Sequence, residues 1–204
     1  MNTQNEISKL FFIVGMRRSG TTILQKLISQ HSNVNKILFE PYELWYAIRV
    51  SHLARYRNNI YVKKQIKKFR NSFSTNKYKG AKFALNAGIE AMTWKRLSFV
   101  FPEAKFIFIV RDREDTYNSW IKVDNNPNCV RGIVSKEMYM PWRNYIVNSF
   151  WDFIVKNKNS IIVHYEDLVE NADNEMIKVW NLLNIKPLTN LNQEMRQPEN
   201  WSKK

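Results

Sequence analysis

The segment at residues 15–22 constrains the fold more strongly than any other part of the sequence. It reads GMRRSGTT, with two glycines five positions apart and two hydroxyl residues directly after the second glycine. An unbroken apolar run at residues 10–14 precedes it, and apolar residues at helical spacing follow it. Glycines between a buried strand and a helix let successive backbone N–H groups turn toward one anion, and the helix adds its positive end. The segment therefore predicts a phosphate-binding loop.

The order of apolar runs along the chain predicts an α/β fold. Clear runs at residues 105–110 and 161–163, with short candidates at 36–39 and 82–85, alternate with helical patterns. Strands that are apolar on both faces are typical of a parallel sheet covered by helices. We predict a three-layer, P-loop-like fold with a central parallel sheet flanked by helices, in a single domain over residues 1–204. The predicted helices cover residues 21–31, 42–57, 60–73, 88–101, 137–156 and 174–183, and a further helix ends near Trp120.

The composition indicates a folded protein that meets anionic partners. The 204 residues include 32 Lys and Arg against 18 Asp and Glu, which leaves a formal charge of +14. Such an excess steers polyanions toward a protein, whether nucleotide, nucleic acid, acidic glycan or membrane surface, and it also serves solubility alone. No apolar run approaches the roughly 20 residues of a membrane span, and residues 1–9 lack a signal-peptide pattern. With one cysteine, Cys129, we expect no internal disulfide and a cytoplasmic protein.

The loop differs from an ATP- or GTP-hydrolysing loop at one informative position. Such loops carry Lys directly after the second glycine, where this chain has Thr21, and the cations here are Arg17 and Arg18 inside the loop. No Asp lies within residues 105–110 to hold magnesium, although Asp112 is close. The pattern argues against a metal-dependent triphosphatase, and no set of Cys and His residues predicts a metal site.

With these residues in view, the chain resembles the nucleotide-dependent sulfotransferases. Their first signature is a strand followed by Lys or Arg and then Ser-Gly-Thr-Thr, and FFIVGMRRSGTT matches it with Arg18 at the basic position. The resemblance implies a P-loop fold adapted to 3′-phosphoadenosine 5′-phosphosulfate (PAPS), without a metal. It implies that Arg18 contacts the sulfuryl and 5′-phosphate oxygens. The implied donor-binding residues of the loop are Arg17, Arg18, Ser19, Gly20, Thr21 and Thr22.

The second signature of that family is an Arg that ends a buried strand, with a Ser eight residues later. The sequence FIFIVRDREDTYNSW supplies Arg111 and Ser119 at this spacing. The resemblance implies that both grip the 3′-phosphate, for which an Arg fork is better shaped than a Lys point charge. Later, HYEDLVENADNEMIKVWNLLNI resembles a strand-loop-helix of the family, in which we expect Glu166 and Asp167 to have capping or structural roles. The middle of the chain, residues 45–78, matches nothing specific.

The catalytic residues follow from the same resemblance. Arg18 would stabilise the leaving bisphosphate, and Lys82, ahead of a short apolar run, resembles a family Lys that orients the sulfate. The general base in the family is His or Glu, and Glu40, at the end of the second predicted strand, is our choice. His164 is a reserve, whereas His31 and His52 are poorer candidates. Which residue is the base stays open at this point.

The sequence predicts sulfuryl transfer from PAPS to a hydroxyl or amine of a glycan, lipid, peptide or small molecule. The basic charge of the protein would suit an anionic acceptor. A P-loop kinase or other phosphotransferase is one alternative. A basic nucleic-acid-binding protein is another, because aromatic and basic residues interleave over residues 49–70, although we do not expect nucleic acid as the partner. A non-catalytic relative stays open as well, because the tail MRQPENWSKK offers only Arg196, Trp201 and Lys203 to close the nucleotide site. Acceptor identity and oligomeric state are open.

Overall fold

The computed structural model describes residues 9–39, 41, 43–44, 46, 60–71, 77–85, 90–124 and 135–192. The strands in these ranges are β1 (Leu10–Met16), β2 (Val34–Phe39), β3 (Tyr78–Leu85), β4 (Lys105–Val110) and β5 (Ser160–His164). The helices are α1 (Thr21–Ser29), α2 (Ile60–Asn71), α3 (Glu90–Val100), α4 (Arg113–Asp124), α5 (Lys136–Lys156), α6 (Tyr165–Glu170) and α7 (Ala172–Leu183).

The strands form one sheet in the order β2-β3-β1-β4-β5, and the neighbouring strands pair in parallel. The chain leaves the central strand β1 for the edge at β2, returns to β3, and then crosses to β4 and β5 on the other side. The strand order therefore reverses at β1 and β4, which is where open α/β sheets bind ligands at their carboxyl edge. The predicted fold class, a parallel sheet between helical layers, is confirmed.

Alternate residues of β1 point into two separate cores, because side chains along a strand alternate between faces. Phe12 and Val14 belong to a core shared with α3 and α5, whereas Phe11 and Ile13 belong to a core shared with α1, α6 and α7. All seven residues of β1 are buried. The strand is thus covered on both faces, which explains why its sequence reads as a continuous apolar run.

The boundaries differ from the sequence prediction mainly where polar residues are buried in strands. β3 begins at Tyr78 rather than at residue 82. The prediction missed its first residues because lysine usually faces solvent, whereas Lys79 is only 4% exposed. The segment after β5 that we expected to be a loop forms the six-residue helix α6. The predicted helix at residues 42–57 lies largely outside the described residues. None of the described helices is both long and apolar enough to cross a membrane.

A pair of phenylalanines tests the packing of the first core. Phe108 is fully buried, and its ring lies 5.1 Å from that of Trp94 and 4.5 Å from that of Phe150 between centroids. Phe108→Ala should lower the free energy of unfolding by about 3–5 kcal/mol, because it leaves a cavity between these rings. Phe99, at 84% exposure, is the matched control, and Phe99→Ala should change it by less than about 0.5 kcal/mol. Urea denaturation measures both, and equal losses would contradict the assigned core.

Candidate active site

The loop between β1 and α1 is shaped by its own hydrogen bonds. The backbone N–H and the hydroxyl of Ser19 both donate to the carbonyl oxygen of Met16, at 3.0 and 2.7 Å. Ser19 is 1% exposed, so its hydroxyl closes the turn from inside. The N–H of Arg17 donates to the carbonyl of Leu85 at 3.0 Å, which ties the loop to the end of β3. The loop is therefore held by bonds within itself and by one bond to the neighbouring strand β3.

The two glycines of the loop are required by space and by backbone angle. A Cβ on Gly15 would lie 2.6 Å from the side chain of Ile109 on β4. Gly20 has φ of 99°, and a Cβ there would lie 2.5 Å from the ring of Tyr165 on α6. Arg18 also has a positive φ, 77°, a conformation uncommon for residues other than glycine. Left-handed residues in a turn orient backbone N–H groups toward one side, as an anion-binding loop requires.

The end of the loop is connected to a buried lysine on β3. The amine of Lys82 donates to the hydroxyl of Thr22 at 3.1 Å and lies 3.7 Å from the centroid of the Phe39 ring. Lys82 is 2% exposed, while Phe39, at the end of β2, is 62% exposed. Thr21, which opens α1, is 4% exposed. Two residues predicted from separate segments, Lys82 and Thr22, are thereby in direct contact beside the first turn of α1.

The predicted residues of the two signatures meet across the crevice between β1 and β4. Nε of Arg18 donates to the hydroxyl of Ser119 on α4 at 3.1 Å. A guanidinium nitrogen of Arg111, which follows β4, lies 3.4 Å from the carbonyl oxygen of Arg18. The Arg17 guanidinium lies 5.9 Å from the ring centroid of Trp120, also on α4. The structure thus brings Arg17, Arg18, Arg111 and Ser119 together at the carboxyl edge of the sheet.

Arg111 is only partly matched by its surroundings. Its guanidinium carbon lies 4.3 Å from the ring centroid of Tyr165, and one nitrogen lies 3.9 Å from the carboxylate of Asp115, whose side chain is 60% exposed. Its Nε is buried and makes no hydrogen bond within the part of the chain that the structure describes. A buried donor without a partner is uncommon in native proteins. A phosphate oxygen would satisfy that donor.

The peptide unit after Arg111 is held by Arg143, which the sequence analysis did not single out, and by Glu166, for which it expected a capping or structural role. The carbonyl of Arg111 accepts a bond from Arg143 of α5 at 2.6 Å, and the N–H of Asp112 donates to a carboxylate oxygen of Glu166 at 2.9 Å. The sequence contains no local signal for either contact, because the partners are 32 and 54 residues apart. The expectation of a structural hydrogen bond for Glu166 agrees with this geometry.

Asp112 caps α4 rather than serving as an isolated acid. One oxygen of its carboxylate accepts bonds from the N–H groups of Glu114 and Asp115, at 2.8 and 3.1 Å. These bonds, the one from Asp115 foremost, hold the pKa of Asp112 below its usual 3.8. Within the described ranges, no group of three or more His, Cys, Asp or Glu side chains is placed to hold a metal ion.

The remaining candidates are distributed as follows. Glu40 lies outside the described residues, as do His52, Arg196, Trp201 and Lys203. His31 is 4% exposed, and both of its ring nitrogens face backbone groups, the carbonyl of Lys186 at 2.9 Å and the N–H of Asn33 at 3.0 Å. The ring of His164, at the end of β5, lies 6.1 Å from that of Trp151 on α5. His31 therefore has a structural role, and Glu40 stays a prediction.

A groove of 170 Å³ lies beside β2, on the face of the sheet that α2 covers. Its lining includes the apolar side chains of Leu38, Leu44, Pro41 and Phe69 and the polar side chains of Lys36, Lys68, Glu43 and Gln65. The groove thus combines an apolar floor with two lysines and one glutamate at its rim.

Comparison with known proteins places this geometry in context. A model of the sulfotransferase domain matches residues 8–203. The solved sulfotransferase domain from the curacin biosynthetic pathway is 17% identical, with a TM-score of 0.63 over 92% of this chain and 76% of that one. The sulfotransferase domain of the Synechococcus olefin synthase is 16% identical, with a TM-score of 0.60 over 87% and 74%. A mouse sulfotransferase complexed with PAP is 16% identical, with a TM-score of 0.60 over 94% of this chain and 64% of that enzyme. No curated protein sequence matches significantly.

The cap at Asp112 predicts a pH dependence of stability. Because folding lowers the pKa of this carboxyl from its usual 3.8, its contribution is present above that value and is lost as the pH falls through the lower folded value. At neutral pH, Asp112→Ala should have a lower Tm than the wild type, and Asp112→Asn, which keeps an oxygen acceptor, should lie close to the wild type. Thermal unfolding from pH 7 to pH 3 measures the three proteins. A gap between wild type and Asp112→Ala that stays constant over this range would contradict the capping role.

Proposed function

This chain belongs to the sulfotransferase family, whose domain model spans nearly its whole length, and we propose that the crevice between β1 and β4 binds the sulfuryl donor. Members of this family move a sulfuryl group from a donor to an acceptor. We take the donor to be PAPS, since the mouse enzyme of the same fold is complexed with PAP, the bisphosphate that remains once PAPS has given up its sulfuryl group. The identity of this chain's residues with the family signatures supports the same donor.

The observation that carries the proposal is that Arg18, from the loop after β1, meets Arg111 and Ser119, from the segment after β4, in one crevice. A nucleotide with phosphates at both ends of its ribose needs two anion sites a short distance apart. Arg111 and Ser119 suit the 3′-phosphate, because the buried Nε of Arg111 is a donor without a partner among the described residues. The turn around Gly20 and the start of α1 suit the 5′-phosphate, where a helix offers N–H groups and a positive end.

Sulfuryl transfer requires in-line positioning and charge stabilisation more than covalent help from the protein. The bond from sulfur to the bridging oxygen breaks as a bond from sulfur to the acceptor oxygen or nitrogen forms, and the bisphosphate departs with the negative charge. Arg18 would stabilise the charge on the bridging oxygen. The amine of Lys82 bonds the Thr22 hydroxyl at 3.1 Å. This bond would keep the positive charge of Lys82 next to the phosphate-binding loop, on the side where the sulfuryl group would lie.

The acceptor's proton must pass to a base, and Glu40 remains our proposed one. Glu40 directly follows Phe39 in the sequence. The ring of Phe39 lies over the amine of Lys82. A carboxylate next to that position would be near the reacting sulfur if Lys82 faces the sulfuryl group. His164 remains the reserve, at the end of β5.

The groove beside β2 is our proposed entry for the acceptor. Leu38 in its floor is adjacent to Phe39 on β2 but points to the opposite face of the sheet, so an acceptor in the groove would reach Lys82 around the carboxyl end of β2. Its apolar floor and the lysines at 36 and 68 favour an acceptor with an apolar part and an acidic group, although Glu43 also lines the rim. A screen of labelled PAPS against neutral and acidic alcohols and amines of matched size tests this. Equal transfer to neutral and acidic members of each pair would contradict the role of the lysines.

Donor specificity provides the test of the assigned nucleotide. Adenosine 3′,5′-bisphosphate should raise the Tm of the protein far more than adenosine 5′-monophosphate does, and more than ATP with magnesium. In Arg111→Ala the advantage of the 3′-phosphate should fall about 10- to 100-fold in affinity, because a charge-assisted fork is lost. Isothermal titration with the two adenosine nucleotides gives the ratio of dissociation constants. Tighter binding of ATP with magnesium would favour a phosphotransferase, and an unchanged ratio in Arg111→Ala would contradict the 3′-phosphate site.

Two buried lysines of β3 allow a matched test of catalysis. Lys82→Met removes the amine next to Thr22 and keeps the apolar stem, so kcat should fall about 100-fold, as expected when one electrostatic stabiliser is lost. Lys79, at 4% exposure against 2% for Lys82, points to the opposite face of the sheet, and Lys79→Met should leave kcat unchanged. The assay uses the best acceptor from the screen, and Tm confirms folding. Equal loss of kcat in both variants would show that burial, rather than position, explains the effect.

A further inference from the structure

One peptide unit at the tip of β4 is held from both helical layers at once. The carbonyl oxygen of Arg111 and the N–H of Asp112 belong to the same planar peptide group. The carbonyl accepts from Nη2 of Arg143 at 2.6 Å, and the N–H donates to Oε1 of Glu166 at 2.9 Å. Arg143 lies on α5, which packs in the core of one face, and Glu166 lies on α6, which packs in the core of the other. The peptide plane is thus fixed between two charged groups of opposite sign.

These two bonds constrain the direction in which Arg111 points. Rotation of this peptide changes the backbone angles on both sides of it, ψ of Arg111 and φ of Asp112, and would break both bonds together. Hydrogen bonds to ionised groups are roughly twice as strong as neutral ones. Apart from these backbone contacts, the contacts of the Arg111 side chain among the described residues are a ring contact to Tyr165, a long contact to exposed Asp115 and the bond to the Arg18 carbonyl. The orientation of Arg111 therefore depends on its backbone.

Asp112, the second residue of this peptide unit, also fixes the start of α4. The carbonyl of Asp112 accepts from the N–H and the hydroxyl of Thr116, at 3.0 and 2.6 Å, and the Asp112 carboxylate caps the first turn. With its N–H on Glu166, Asp112 is held at each of its polar groups. Ser119 lies on this helix, so its position relative to Arg111 is set by the same anchor.

We propose that Arg143 and Glu166 are positioning residues for recognition of the 3′-phosphate, acting through the peptide unit between Arg111 and Asp112. This inference rests on the proposed donor site. Arg143 itself is committed to protein acceptors, since Nη2 bonds the Arg111 carbonyl and Nη1 bonds the side chain of Asn144 at 3.3 Å. Its effect on the nucleotide is therefore indirect, through Arg111 and Ser119.

The test is the ratio of the dissociation constants for adenosine 5′-monophosphate and adenosine 3′,5′-bisphosphate, measured by isothermal titration on the full chain. Arg143→Met keeps the length and apolar stem of the side chain and should lower the ratio about tenfold, the loss of one charge-assisted bond. Glu166 is exposed, so Glu166→Ala should fold normally and lower the ratio as well. Glu166→Gln keeps an oxygen acceptor for the Asp112 N–H and should restore it.

Two controls separate positioning from simpler effects. Arg113→Met removes a positive charge close to Arg111 but no bond to the peptide between Arg111 and Asp112. The ratio of dissociation constants for this variant should match that of the wild type. In a background with both Arg111→Ala and Ser119→Ala, Arg143→Met should cause no further fall, because both of its routes to the phosphate are gone. A fall that persists in this background would mean direct contact and overturn the inference, as would a ratio unchanged in both Arg143→Met and Glu166→Ala. A wild-type ratio near one would overturn the donor assignment itself, and the inference with it, so that the two failures are distinguishable.

Discussion

Between β1 and β4 the strand order reverses, so the loops that follow these two strands turn toward opposite faces of the sheet and leave a crevice between them. The crevice is narrow because β1 and β4 pair directly, with Gly15 beside Ile109. A side chain at Gly15 would collide with that isoleucine. A ligand has room in this crevice because three features occur together. The strand order reverses there, residue 15 has no side chain, and the loop after β1 turns tightly.

The crevice brings two positively charged side chains close together. Arg18 and Arg111 both reach into it, where Arg18 donates to the Ser119 hydroxyl and Arg111 donates to the Arg18 carbonyl. The carboxylate near Arg111 is that of Asp115, at 3.9 Å and largely exposed, where solvent screens its attraction. An anion bound between the two arginines would reduce their mutual repulsion and gain charge-assisted bonds. A ligand with two separate phosphate groups fits this charge distribution better than a single anion does.

How much of the site the sequence predicts depends on whether a contact has a local pattern. The loop at residues 15–22 and the spacing of Arg111 and Ser119 were visible, because each lies within one strand-to-helix connection. The contact of Lys82 with Thr22 joins β3 to α1, which are far apart in the sequence, so only the residues could be proposed and not their bond. Helix α6 was missed because six residues are too few to show a helical period. Arg143 had no signal at all, since it binds a backbone carbonyl, which every residue possesses.

The environment of Arg143 shows why such a residue is retained at an interior position. Burial lowers the pKa of its guanidinium, and Tyr139, Asp112 and Glu166 partly offset this. Half-buried charges of this kind contribute little net stability, because desolvation opposes the attraction of their partners. An apolar side chain could fill the same space between the helices, but it could not bond the Arg111 carbonyl. The energetic cost of holding a cation there is therefore understandable if its benefit lies in the orientation of Arg111, at the point where both helical layers meet the carboxyl edge of β4.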